Sequence, residues 1–176
     1  CIRDRFWLLN VTDTKVRTRK ELDGVLTIPF LGNIPRHGNN KGEDSDGIVV
    51  RENSRDSVSE AFRIIRTNMD FMRVKATNLQ VVMFTSANPG AGKTFVSSNL
   101  AMSIAQTNKK VVLVDVDIRK GTLSGIFSNS SNRMGLTHYL SGSTDKLDDI
   151  IGRSEEYEKL DVIFSGPVPP NPAELL

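Results

Sequence analysis

The stretch TSANPGAGKTF, residues 85–95, decides how the rest of the chain is read. Within it, A-x-x-x-x-G-K-T comes close to a phosphate-binding loop. Such a loop needs small residues, so that successive backbone amides can turn inward onto phosphate oxygens. It also needs a Lys to reach the β and γ phosphates and a hydroxyl to hold Mg²⁺. Gly90 and Gly92 meet the first need, Lys93 the second and Thr94 the third. A four-position pattern this loose arises by chance in about one in a hundred chains of this length, so its context decides. Before it stands the apolar run LQVVMF (79–84), read as a buried strand. After it comes TFVSSNLAMSIAQTN (94–108), with Val96, Leu100 and Ile104 at helical spacing. Strand, loop and helix in that order are what a phosphate loop requires, and the helix adds its positive dipole end. The expected nucleotide contacts are Asn88, Pro89, Gly90, Ala91, Gly92, Lys93, Thr94 and Phe95. The bland alternative is a Gly-containing turn with an exposed Lys.

Working outward, VVLVDVDIRKG (111–121) supplies a second constellation. A second buried strand, 110–117, leads to Asp115 and Asp117, with Arg119 just beyond. In a parallel sheet, ligands bind off the carboxyl ends of strands, so these carboxylates are expected to face the crevice of the loop. Residues two apart on a strand point the same way. Asp115 and Asp117 are therefore both candidates for a metal–phosphate centre, as metal-shell residue or proton acceptor. The bland alternative is a pair of strand-end carboxylates capping a helix or pairing with Arg119. Residues 134–142 and 144–152 read as short helices, each stopped by a Gly, and LDVIFSG (160–166) as a third strand. Strand and helix alternating in this way imply an α/β fold of the P-loop NTPase type, a parallel sheet flanked by helices.

Upstream, residues 54–74 carry the clearest helix. Ser57 followed by Glu60 reads as a capping box. Val58, Phe62, Ile65, Met69 and Met72 form one apolar stripe. Glu60, Arg63 and Arg66 lie together on a different face. The segment LTIPFLGNIP (26–35) is expected to run extended against a core, and residues 36–47, polar and Gly-rich, to form a loop or linker. The first twenty residues hold six Lys and Arg against two Asp, a basic lead-in of the sort found on the cytoplasmic side of a membrane span.

Composition sets outer bounds. The 176 residues, 38% hydrophobic and 25% charged, describe one ordinary globular domain. A net charge of +2 gives no ground for a nucleic-acid partner, and the single Cys allows no internal disulfide and no cysteine metal site. The chain opens on Cys and closes on NPAELL, which resembles the start of a helix, so it is expected to be a piece of a longer protein.

Together, SANPGAGKT, VLVDVDIR, EAFRIIR (60–66) and GPVPPNPAELL (166–176) resemble the motifs of the bacterial tyrosine kinases of exopolysaccharide export. These are relatives of the deviant-Walker ATPases. The four correspond to that family's Walker A, its Walker A′, its E-x-x-R-x-x-R helix and the segment leading into its next helix. The resemblance implies ATP and Mg²⁺, phosphoryl transfer to tyrosines of a neighbouring subunit, and a place on the cytoplasmic face of the bacterial inner membrane. The membrane would be reached through an N-terminal span outside this chain. Residues 1–47 would be a juxtamembrane segment and linker, and 48–176 the N-terminal part of the kinase domain.

Lys93, Asp115 and Asp117 would be catalytic, with Thr94, Asp115 and Asp117 at the metal. Glu60, Arg63 and Arg66 would dock on the next protomer of a homo-oligomeric ring, and the partners would be the polysaccharide polymerisation and export machinery. Two features depart from the family pattern. No Walker B strand follows within the sequence, and the only tyrosines are Tyr139 and Tyr157. Two other readings stay open. One is a partition- or division-type ATPase, although such proteins carry a second loop Lys where Asn88 stands. The other is a non-catalytic nucleotide-binding adaptor of a polysaccharide exporter.

Overall fold

A computed structural model of the chain describes residues 20–21, 24, 26–36, 47–75, 80–127, 134–154 and 157–175. They fall in two compact units, Cys1–Phe30 and Leu31–Leu176. In the first unit Lys20 and Glu21 are helical, and residues 26–30 have no regular structure. Most of the basic lead-in (1–19) and most of the polar loop (37–46) lie outside the described residues. No helix among the described residues is long and apolar enough to cross a membrane.

In the second unit, helix α1 spans Ser57–Lys75. Its cap lies one residue earlier than the capping box predicts. The Asp56 carboxylate, not Ser57, accepts the amides of Val58 and Ser59, each at 2.9 Å, and the hydroxyl of Ser54. Its Oδ1 takes both orphan amides while Oδ2 takes the hydroxyls of Ser54 and Ser59, and the ionised group makes each bond charge-assisted. Glu60 is turned outward to Arg63 instead. Val58, Phe62 and Ile65 are buried as the stripe predicts, and Met69 packs against them. Met72, at 41% exposure, lies off the core. Leu31 and Ile34 lie on the same cluster, as expected of an extended segment. Asn68 fixes that segment by donating to the Leu31 carbonyl at 2.7 Å.

Helix α2, Lys93–Ala105, is the middle layer. Leu100 belongs to the Phe62 cluster, whereas Ala101 and Ala105 pack with Leu113, Leu160 and Val162 of the sheet. A helix buried on two sides has no single apolar stripe, and this one carries Ser98, Asn99 and Ser103 at 0% exposure. Asn99 satisfies its buried amide fully. Its Oδ1 accepts the Val49 and Val50 amides at 2.7 and 3.1 Å, and its Nδ2 donates to the Gly47 and Phe95 carbonyls, both at 2.9 Å.

The sheet has three strands among the described residues: β1 (Val111–Val114), β2 (Ile151–Arg153) and β3 (Leu160–Ile163), in the order β1-β3-β2. β1 and β3 run parallel, with Val111 opposite Leu160 and Val114 opposite Ile163. β2 pairs antiparallel to β3, so the sheet is mixed rather than wholly parallel. β2 also corrects the reading of 144–152 as helix: only Leu147–Asp149 is helical, as one 3₁₀ turn. Beyond it Ile151, Gly152 and Arg153 find ladder partners on β3, which outweigh local propensity over so short a run. The helix expected within 134–142 is present as α3, Leu136–Leu140.

The apolar run before the loop also departs from expectation. Residues 80–84 form no ladder with any described strand, and Val81 and Met83 are 83% and 85% exposed. Only Phe84 packs on the core. A strand is defined by its partner, and among the described residues none pairs with this segment. Between residues 80–84 and β1 opens a cavity of about 470 Å³, floored by Leu100, Ala101 and Ile104 of α2.

Candidate functional site

The loop of residues 85–92 enters α2 through two glycines in the left-handed region, Gly90 at φ 75° and Gly92 at φ 90°. A side chain would be strained at either position. A Cβ built on either meets nothing within 4 Å, so both glycines border open space. Lys93 Nζ donates to Ser86 Oγ at 3.0 Å, and Ser86 Oγ donates to the Asn88 carbonyl at 2.8 Å. The ammonium is thus held over the loop. Behind it Phe95 turns to the core, its ring centroid 6.0 Å from that of Phe62, which leaves the Phe95 amide rather than its ring to face a ligand. An open glycine loop, a tethered cation and the N-terminus of a 13-residue helix suit a polyphosphate.

The acidic segment follows β1, at the carboxyl end of the parallel pair. Asp115 extends the ladder by one bond, its amide donating to the Ile163 carbonyl at 2.9 Å. Its side chain is only 7% exposed, with Oδ1 accepting the Asp117 amide at 3.0 Å and Oδ2 the Leu123 amide at 3.1 Å. Burial pushes its carboxyl above the usual carboxylate range, against the pull of those two amides. Asp117 lies beyond the end of β1, where the chain turns. It is exposed, and its Oδ1 accepts the Arg119 and Lys120 amides at 3.3 and 3.2 Å. The two aspartates therefore do not share one side of a strand, as two-residue spacing predicts. One is buried against the amides of its own segment and the other stands exposed.

The two constellations meet through a residue the sequence did not single out. Thr94 Oγ1, at the start of α2, lies 3.0 Å from Thr122 Oγ1, in the 3₁₀ turn Thr122–Gly125 that follows the acidic segment. Ser86 was missed as well. A lone hydroxyl belongs to no spacing pattern, and the only available signal was its place near the start of the loop.

No group of three or more His, Cys, Asp or Glu side chains gathers among the described residues. The candidate oxygen donors are the Thr94 hydroxyl and Oδ2 of Asp117, since Asp117 Oδ1 and both oxygens of Asp115 take amides. So sparse a set fits a hard cation that keeps waters and takes phosphate oxygens, as Mg²⁺ does. The residues present fit Mg²⁺ with a nucleotide.

Glu60, Arg63 and Arg66 lie away from this site on α1. Arg63 pairs with Glu60 at 3.0 Å and donates to the Ser54 carbonyl. Arg66 reaches across to α2, donating to the Ser103 carbonyl and to Ser103 Oγ at 3.2 Å.

The AAA domain family matches residues 79–167, just over half of the chain and all of the loop and acidic segment. The chain belongs to that family. This AAA domain has tyrosine-kinase relatives. It is 47% identical over 139 residues to a protein of Klebsiella pneumoniae named for a tyrosine-protein kinase in the cps region, covering 78% of this chain and 19% of that protein. It is 45% identical over 118 residues to the tyrosine-protein kinase YwqD of Bacillus subtilis, covering 67% of this chain and 48% of YwqD. The solved kinase domain of the Escherichia coli tyrosine kinase ETK matches with a TM-score of 0.76 and 35% identity, over 92% of this chain and 65% of that one. The AAA domain thus spans less than half the length of these two curated relatives. Its fold is that of the bacterial tyrosine-kinase domains.

Proposed function

We propose that the chain is the nucleotide-binding part of an ATP-dependent protein-tyrosine kinase that phosphorylates tyrosines of a neighbouring copy. The observation that carries this is the tethering of Lys93 over an open, left-handed glycine loop, joined through Thr94 and Thr122 to the acidic segment. Phosphoryl transfer asks mainly for positioning and charge stabilisation. The loop amides and Lys93 would bind the phosphates, and the Thr94 hydroxyl would hold the metal. Bound Mg²⁺ would neutralise charge on the β and γ phosphates. Because both oxygens of Asp115 are engaged by amides, Asp117 is the better candidate to meet the metal shell or take the proton of an incoming hydroxyl. Asp115 would act by holding the loop in place.

The finer reading extends to setting. Residues 1–47 would lead in from a membrane span, placing residues 48–176 on the cytoplasmic face of the bacterial inner membrane. The likeness to a cps-region protein supports a role in exopolysaccharide polymerisation and export. Glu60, Arg63 and Arg66 would serve a ring of identical subunits.

Lys93→Met in the full-length protein tests the central claim. Phosphotyrosine formation is expected to fall about 100-fold or more. Phosphorylation at the unmodified level would sink the kinase reading. Absent phosphorylation combined with intact, protein-dependent polymer export would favour the adaptor.

A further inference from the structure

We infer that Thr122 is a positioning residue of the metal–phosphate centre, acting on the Thr94 hydroxyl. This rests on the nucleotide reading of the loop. A hydroxyl that binds a cation offers it a lone pair, so its proton has to point elsewhere, to an acceptor. Thr122 Oγ1, 3.0 Å from Thr94 Oγ1, is such an acceptor. When Thr94 donates to it, the Thr94 lone pairs are aimed away from Thr122.

Thr122 is itself held in place. Asp115 Oδ2 takes the amide of the next residue, Leu123, which is 3% exposed. The preceding residue, Gly121, has φ 55° and lies so close to Ser165 that an added Cβ would sit 2.6 Å from Ser165 Oγ. The Gly121 amide in turn donates to the Asp117 carbonyl at 2.9 Å. Thr122 is thereby fixed to both aspartates of the acidic segment, and through Thr94 it fixes the first turn of α2 to them. The buried, amide-bound Asp115 gains a role from this. It sets the position from which Thr122 reaches the loop.

A side chain that orients the metal ligand affects nucleotide binding only when the metal is present. The test is ADP binding to the full-length protein by calorimetry, with Mg²⁺ and with Mg²⁺ chelated. The protein is expected to bind ADP more tightly with Mg²⁺. Thr122→Val keeps shape and removes the acceptor, and is expected to reduce that Mg²⁺ enhancement about fivefold. Metal-free affinity should stay unchanged, and Thr122→Ser should restore the enhancement. An undiminished enhancement in Thr122→Val overturns the proposal. Equal weakening with and without Mg²⁺ also overturns it, since that is the mark of a merely structural residue. Failure of the parent protein to bind ADP at all overturns the nucleotide reading beneath it.

Discussion

At the scale of single residues, the carboxylates differ in what their surroundings do to them. Asp56 takes hydrogen bonds from Ser54, Ser59 and two backbone amides, all of which favour its ionised form. Burial works to raise its pKa, and these bonds outweigh it, holding the carboxyl well below the usual carboxylate range. A depressed pKa in the folded state means stability that is present above the ordinary value of 3.8 and lost as pH falls through the folded one. Asp56→Ala is therefore expected to cost about 1–2 kcal/mol at pH 7. Urea unfolding should show the gap between variant and parent narrowing steadily below the ordinary carboxylate pKa. A gap independent of pH would mean that the charge is irrelevant to the cap. Sequence placed this cap one residue late, because S-x-x-E is a recognisable word and an Asp just before it is not. It singled out Lys93 and Thr94 because a phosphate loop constrains residue type at several positions at once. Ser86 and Thr122 went unseen because each acts through one hydroxyl contact, and Thr122 lies 28 residues from its partner.

At the scale of elements, periodicity served where an element has one buried face. Helix α1 could be read that way, and β1 and β3 could be read as compact apolar runs. The method failed where pairing decides. Ile151 and Gly152 became strand because β3 was beside them, and residues 80–84 find no ladder partner among the described residues. The charged strip of α1 holds a lesson for testing assembly. Arg66 ties α1 to α2 through Ser103, whereas Arg63 bonds to Glu60 and Ser54 at the helix's own start. Arg66→Ala is thus expected to lower stability by about 1 kcal/mol and Arg63→Ala by less. If the strip serves a ring, Arg63→Ala should still weaken self-association in analytical ultracentrifugation. A stable Arg63→Ala variant with an unaltered sedimentation profile would remove Arg63 from the interface.

At the scale of the whole molecule, the site gathers at the carboxyl end of the parallel pair. The start of α2 meets the acidic segment through Thr94 and Thr122, and that segment meets the turn after β3 through Gly121 and Ser165. The alternation of strand and helix in the sequence anticipated the parallel pairing of β1 and β3, though not the antiparallel β2. The cavity between β1 and residues 80–84 could not be anticipated, since sequence shows apolar runs but not the gap between them. That gap bears on how the chain behaves in the tube. Val82 and Val112 line it, and with their chain neighbours Val81, Met83 and Val114 they stand 41–85% exposed; apolar patches of this kind hold dyes and promote clumping. The folded chain is expected to brighten an anilinonaphthalene sulfonate probe and to cloud as its concentration rises. Val81→Lys should dim the probe and delay the clouding while leaving the melting temperature in place. Should the probe respond identically to both proteins, the dye is binding elsewhere. The same cleft beside residues 80–84 would then set the working concentration for every binding measurement described above.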